Sequence, residues 1–257
     1  MYIIEINNLN FDYSGKILFS NLDLKIEKNT FNCLIGNNGC GKTTLLKIML
    51  GLIDSDNVTI DNIKLTKQNR FEIRKKIGCV FENPENNLIC ETVIEELSFP
   101  LNNLNLSKEE IDIRIKNITK MFDFKNIDRP INKLTLDEKQ TVALMSALII
   151  NPKILVLDEA FTYISKSCSK KILNILKKIN ITIISVTHDA EELLLSDNII
   201  ILKEGKIIIN DKKEKVFESD LLDNYPFIID LSNKLKYYEL VDKISYSYKE
   251  LVNEVWK

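Results

Sequence analysis

The sequence predicts an α/β fold built around a mostly parallel sheet, and three observations carry that expectation. Gly36–Thr44 is glycine-rich and lies between an apolar strand, Phe31–Ile35, and a segment of helical character. Ile154–Leu157 and Ile181–Val186 are continuous apolar runs, the pattern of strands buried on both faces of a parallel sheet. The opening residues alternate, with Ile4, Ile6 and Leu9 set against Glu5, Asn7 and Asn8, which describes a half-buried strand.

The remaining elements follow in order. Leu22–Ile26 reads as a short strand, and Thr43–Leu52 as the helix behind the glycines. Val58–Leu65 reads as a strand pair turning at Asp-Asn, and Lys76–Phe81 as a further strand. From Pro84 to about Ile150 the texture becomes helical, with Ser107 as an N-cap for Lys108–Phe122 and Glu109 and Glu110 in its first turn. Ile199–Lys203 and Lys206–Ile209 form a hairpin around Gly205. The charged tail beyond Asp211 is expected to be helical, broken at Pro226. These elements describe a core domain over 1–212, with a helical insert at about 84–150, and a helical extension over 213–257.

Composition narrows the function. With 257 residues, 45% of them hydrophobic, the chain can bury a substantial core. A net charge of −2, with acids and bases interspersed, gives no basic face for nucleic acid. Cys33, Cys40, Cys79, Cys90 and Cys168 form no close pair and read as reduced thiols, not as a disulfide or zinc framework. The N-terminus has no signal-peptide pattern, and the longest apolar stretch, Val142 to Ile150, is too short to span a bilayer.

Gly36-Asn37-Asn38-Gly39-Cys40-Gly41-Lys42-Thr43-Thr44 matches the phosphate-binding pattern G-x-x-x-x-G-K-[ST] in the strand-to-helix context that the pattern requires. Glycines let the backbone fold tightly enough to aim amides at a phosphate chain, and the helix N-terminus favours negative charge. Lys42 is expected to reach the β- and γ-phosphates of ATP, and Thr43 to offer its hydroxyl to Mg²⁺. Downstream, the run Ile154–Leu157 ends in Asp158 and Glu159. Asp158 is placed to hold the metal, and Glu159 to orient or deprotonate an attacking water.

Four further features resemble the ATP-binding cassette (ABC) ATPases over residues 1–212. Tyr13 stands about 23 residues before Gly36, where the family carries an aromatic that stacks on adenine. Val80-Phe81-Glu82-Asn83-Pro84 sits at the Q-loop, Leu134 falls 24 residues before Asp158 at the signature spacing, and His188 follows a core strand as the family's switch histidine does. The run from Phe81 to Phe99 and the tail, with Tyr225-Pro226-Phe227 and Lys249–Val252, look most like the ATPase subunits of energy-coupling factor (ECF) transporters. The resemblance implies a P-loop NTPase fold of the ABC type, with a RecA-like core, an antiparallel β subdomain and a helical insert. It also implies an ATP hydrolase peripheral to the cytoplasmic face of a membrane, working with a second ABC ATPase, a transmembrane coupling subunit and a substrate-binding membrane subunit to import a vitamin or metal ion. Glu82 would bind the metal in place of the family's glutamine. His188 would contact the γ-phosphate, and Glu91, Glu95 and Glu96 would either meet basic coupling helices or form a solvated helix face. The alternatives are another ABC transporter class, a nucleotide-binding subunit with little turnover, or a cassette ATPase acting on ribosomes or DNA.

Two departures stand out. Where the family has the signature LSGGQ, which faces the nucleotide of a partner chain, this sequence has Leu134-Thr135-Leu136-Asp137-Glu138. Both glycines are lost and Asp137 brings a carboxylate towards a triphosphate; like charges at ~4 Å repel by several kcal/mol at an effective dielectric near ~20. Thr135 and Glu138 also have capping-box spacing, so the stretch can start a helix while its ATP contact weakens. Leu106–Glu110 is a decoy, too distant from Asp158 to be the signature. The family's D-loop places Leu-Asp where this chain has Ile164-Ser165, so a carboxylate that crosses the dimer interface is missing. The residues serving this chain's own ATP are kept, apart from Glu82, and those presented to a partner are altered. The expectation is an asymmetric heterodimer.

Overall fold

The computed structural model describes residues 1–219 and 221–256. Two sheets form its frame. β1 (Tyr2–Tyr13), β2 (Lys16–Glu27), β4 (Val58–Ile60) and β5 (Ile63–Lys64) make an antiparallel sheet in the order β2-β1-β4-β5. The second sheet has the order β10-β9-β3-β8-β7-β6, formed by β3 (Phe31–Ile35), β6 (Ile77–Phe81), β7 (Ile154–Asp158), β8 (Thr182–Val186), β9 (Asn198–Lys203) and β10 (Lys206–Lys212). All its neighbours are parallel except the β9–β10 hairpin.

The continuous apolar runs are explained by two-sided burial. Successive side chains of a strand face opposite ways. Leu155 and Leu157 of β7 therefore join the helical core, with Ile199 and Ile201 of β9, whereas Ile154 and Val156 join the core beneath the antiparallel sheet, with Ile200 and Leu202. α1 (Lys42–Met49) packs Leu45, Leu46, Ile48 and Met49 into that second core. The opposite face carries α3 (Val93–Asn102), α4 (Lys108–Phe122), α5 (Leu136–Leu148) and α6 (Lys166–Leu176). The short α2 (Arg70–Arg74) precedes β6, and α7 (Ala190–Leu195) and α8 (Lys213–Phe217) flank the hairpin.

Local chemistry sets the helix starts. Ser107 caps α4 by accepting from the Glu110 N–H, and capping boxes begin α3 (Thr92 with Glu95) and α5 (Thr135 with Glu138). Pro226 precedes α9 (Phe227–Tyr237), and α10 (Tyr248–Val255) ends the described chain. Ile228, Ile229, Val241 and Leu251 of this tail pack into the helical core. β2 begins at Lys16, well before the expected Leu22, because a turn at Ser14-Gly15, both with positive φ, folds it back along the whole of β1.

The two sheets are tied at one carboxylate. Asp61 and Asn62 turn β4 into β5 with φ of 50° and 63°, the conformation of a tight hairpin turn. Asp61 then accepts from Lys153 at 2.5 Å, Lys28 at 3.0 Å and Lys76 at 3.2 Å, with its side chain only 11% exposed. Lys153, and after it Lys28 and Lys76, hold the carboxyl well below the usual carboxylate range. Asp61→Asn is expected to destabilise the fold by roughly 1–3 kcal/mol, read as a lower urea midpoint at pH 7. Because the folded pKa is depressed, the stabilisation is complete above the unfolded value near ~3.9 and fades as pH falls through the folded one. The gap between native and variant should therefore persist through neutral pH and close only in strong acid.

Candidate active site

Parallel pairing brings the C-terminal ends of four strands to one edge, where ligands bind in such sheets. The register sets Phe81 beside Asp158, Asp158 beside Val186, and Val186 beside Leu34. The segments that leave those strands carry Glu82, Glu159, His188 and the phosphate loop.

The loop from Gly36 to Gly41 runs into α1, whose N-cap, Gly41, provides no side-chain cap. The first-turn amides are therefore left for a ligand. Gly36 passes so close to β9 that a Cβ there would lie 2.1 Å from the Leu202 carbonyl oxygen. Gly41 has a φ of 111°, and a Cβ on it would meet the Phe19 ring at 2.7 Å. Lys42 is buried, and its Nζ donates to the carbonyls of Gly36 (2.8 Å) and Asn37 (3.3 Å), lying across the loop it serves.

The Asp158 carboxyl is pushed up by burial first and then by the neighbouring charge of Glu159, with the Thr43 hydroxyl opposing the rise and Glu82 adding to it. A hydroxyl, a partly buried carboxylate and a second carboxylate nearby form an all-oxygen set that suits Mg²⁺, which takes few protein ligands alongside substrate phosphates. Glu159 adopts a left-handed backbone, φ 51°, rare for a non-glycine residue, and its N–H donates to the Val186 carbonyl at 2.9 Å. A cleft of about 430 Å³ gathers Tyr13, Asn38, Gly39, Lys42, Thr43, Thr44 and Glu159. Tyr13 is 52% exposed and nearly perpendicular to Phe11, with its hydroxyl 3.4 Å from Thr44 Oγ1. Lys16, Ile17 and Leu18 also line this cleft, a contribution that their sequence pattern did not signal.

His188 is exposed, but its backbone is held from below. Buried Glu192 accepts from the hydroxyls of Ser185 and Thr187, and Thr187 Oγ1 accepts from the Asp189 N–H at 2.9 Å. Burial raises the Glu192 carboxyl to about 7. The folded state thus binds this proton more tightly than the unfolded chain does, and stability should fall as pH rises from ~4.3 towards 7. Glu192→Gln is expected to remove up to ~1.4 kcal/mol per pH unit of that slope, measured by chemical denaturation of both proteins at pH 5.5 and 7.

Gln140 is a further residue missed from the sequence. Fully buried on α5, its amide donates to the carbonyls of Ala160 (2.6 Å) and Phe81 (3.3 Å), gripping the backbone next to both Glu159 and Glu82. Asn87 pins Phe81 as well, through its N–H at 2.8 Å and its carbonyl at 2.9 Å. No local signal marks it, because Gln140 stands within the polar run Asp137–Thr141 that precedes Val142–Ile150.

The residues expected to face a partner lie at the start of α5. Thr135 Oγ1 and Glu138 close the capping box, and Glu138 also pairs with Arg129 at 2.6 Å; the Thr135 N–H and then Arg129 lower its pKa. Leu136 is 46% exposed. Asp137, expected to project towards a partner's triphosphate, is instead hydrogen-bonded by Ser165.

Residues 19–162 match the family model described as ABC transporter. The chain belongs to the ABC transporter family. Within it, the chain is 36% identical to the energy-coupling factor transporter ATP-binding protein EcfA1 of Oenococcus oeni, covering 100% of this chain and 98% of that protein. It is 34% identical to the protein of the same name from Ligilactobacillus salivarius, over 91% and 86% of the two chains. Among solved structures, cbiO1 from Clostridium perfringens, part of the transporter complex cbiONQ, superposes with a TM-score of 0.80 at 28% identity, covering 92% of this chain and 95% of that one. The dimeric cassette MJ0796 bound to ADP and Pi gives 0.72 at 30% identity, covering 82% and 98%.

This ABC protein is therefore an ATP hydrolase of the energy-coupling factor group, on the expected P-loop fold. One expectation about its helical insert needs correction. Glu96 does not belong to an acidic surface: it is buried, accepts from the N–H groups of Ile89 (2.9 Å) and Cys90 (3.0 Å), and shapes the turn before α3. Glu95 is exposed but committed to the Thr92 capping box, and Glu91 is exposed. No helix among the described residues is long and apolar enough to cross a membrane.

Proposed function

We propose that this chain is the hydrolysing partner of an unlike pair of ATPases that drives an ECF-type importer of a vitamin or metal ion. The carrying observation is the contrast between two faces. Around one cleft the phosphate loop, Thr43, Asp158 and Glu159 are assembled with Tyr13. At the start of α5, Glu138 and Asp137 are turned onto this chain's own groups.

In this reading Lys42 exchanges the Gly36 and Asn37 carbonyls for the β- and γ-phosphates of ATP, and the α1 amides complete the cradle. Tyr13 stacks on the adenine. Thr43 and Asp158 would hold Mg²⁺, with Glu82 beside them, and the ion would supply charge neutralisation at the phosphate oxygens. Glu159, fixed by its left-handed backbone, orients or deprotonates the attacking water, while His188 contacts the γ-phosphate. Residues 213–257 serve as a helical extension to the 1–212 cassette, and the transmembrane coupling subunit docks beside α3, where Glu91 is free to face it. The substrate-binding membrane subunit sets what is carried.

Single-turnover hydrolysis by the purified pair tests this. Glu159→Gln should abolish hydrolysis, whereas the matching change in the second ATPase should leave most of it. The reverse pattern would sink the reading. If neither change matters because the native pair hardly turns over, the chain is a nucleotide-binding subunit, a reading favoured by the inward-turned signature.

A further inference from the structure

The two stretches that depart from the family pattern touch each other. Asp137 sits in the first turn of α5 and accepts from the Ser165 N–H at 2.8 Å and from the Ser165 hydroxyl. Ser165 itself begins α6, with its Oγ accepting from the Cys168 N–H at 3.3 Å. The Thr141 hydroxyl takes the Asp137 carbonyl at 2.7 Å, which fixes the backbone beneath the side chain. Residue 165 is thus both the cap of one helix and the restraint on a carboxylate at the head of another.

The sequence set Asp137 and Ser165 down as two separate losses at the partner-facing edge. Their bonds make them one unit. A carboxylate at a helix start can rotate outward to water, or to whatever docks there, or back onto nearby donors. Two hydrogen bonds to an ionised acceptor are among the stronger polar contacts available to it, and both come from one residue. With the hydroxyl gone, only the Ser165 amide would oppose rotation towards the interface. There the charge would meet phosphate.

We propose that Ser165 is a positioning residue that holds the Asp137 carboxylate on this chain's own α6, keeping that charge away from nucleotide bound on the second ATPase. The inference rests on the unlike-pair reading above. It makes the altered signature face an accommodating surface: the second nucleotide can be bound there although its glycine contacts are gone.

The test is a mutant cycle in the purified complex of this chain with its second ATPase and membrane subunits. The readout is the MgATP concentration for half-maximal closure of the ATPase pair, followed by fluorescence energy transfer, with thermal unfolding measured alongside. Ser165→Ala should raise that concentration at least fivefold. Ser165→Asp retains a capping oxygen for α6 but sets a second carboxylate against Asp137, and should raise it at least as far. Combined with Asp137→Asn, either change should return to within twofold of Asp137→Asn alone. If the shift persists in the Asp137→Asn background, Ser165 acts only as a helix cap; if no shift occurs, the restraint has no role. Either result overturns the proposal. If the chain closes on itself as well without a second ATPase, the unlike-pair reading fails instead, and the same cycle on the self-pair still reports on the Ser165–Asp137 link.

Discussion

Glu159→Gln is expected to lower ATP turnover by 10²–10⁴-fold, roughly 3–5.5 kcal/mol of barrier, while leaving ATP affinity nearly unchanged. The substitution keeps the side chain's size and its acceptor oxygen but removes the base. Binding should survive because the phosphate contacts are expected from the loop after β3 and from Lys42 at the start of α1. The backbone should survive as well, since φ 51° is held by the Glu159 N–H to Val186 and by Gln140 on the next residue, neither of which involves the carboxylate. Steady-state hydrolysis beside equilibrium titration with ATP checks this. A parallel loss of affinity would place Glu159 in the binding contacts.

Gly36→Ala should have a comparably large effect by a steric route. The added methyl would stand 2.1 Å from the Leu202 carbonyl and 2.8 Å from Cys40 Sγ. The carbonyl belongs to β9, paired with β3 along the same edge, and cannot retreat without breaking that ladder. The loop must lift instead, taking with it the Gly36 carbonyl that receives Lys42. Affinity for ATP should fall by more than 10²-fold, with about 1–3 kcal/mol of lost stability from overpacking. Calorimetric titration and urea unfolding separate the two. Gly39→Ala makes a fair control for the steric argument, since a Cβ there meets nothing within 4 Å, although its φ of 80° still disfavours a side chain.

What could be read from the sequence was chemistry confined to a few neighbouring residues. The phosphate loop, the apolar run ending in Asp158, the Ser107 cap and the Thr135–Glu138 box each fit within a short window and stand where they were expected. The rest depends on residues far apart in the chain. Asp137 and Ser165 are 28 positions apart, and no local pattern says that one restrains the other. Gln140 meets Phe81 across 59 positions. Glu96 departs from its local pattern for a related reason: acidic residues near a helix start suggest a solvated face, but two amides of the preceding turn take the carboxylate as their acceptor.

The capping box at the head of α5 bears on how such a chain can diverge. Thr135 and Glu138 satisfy the first amides of the helix with their own side chains, and Arg129 steadies the glutamate from outside. The cap therefore rests on positions 135 and 138, whereas position 137 is tied to Ser165 at the head of α6. Position 136, half-exposed and outside these bonds, can change without loss of the cap. A half-site can lapse in this way while the helix that bore it goes on building the core.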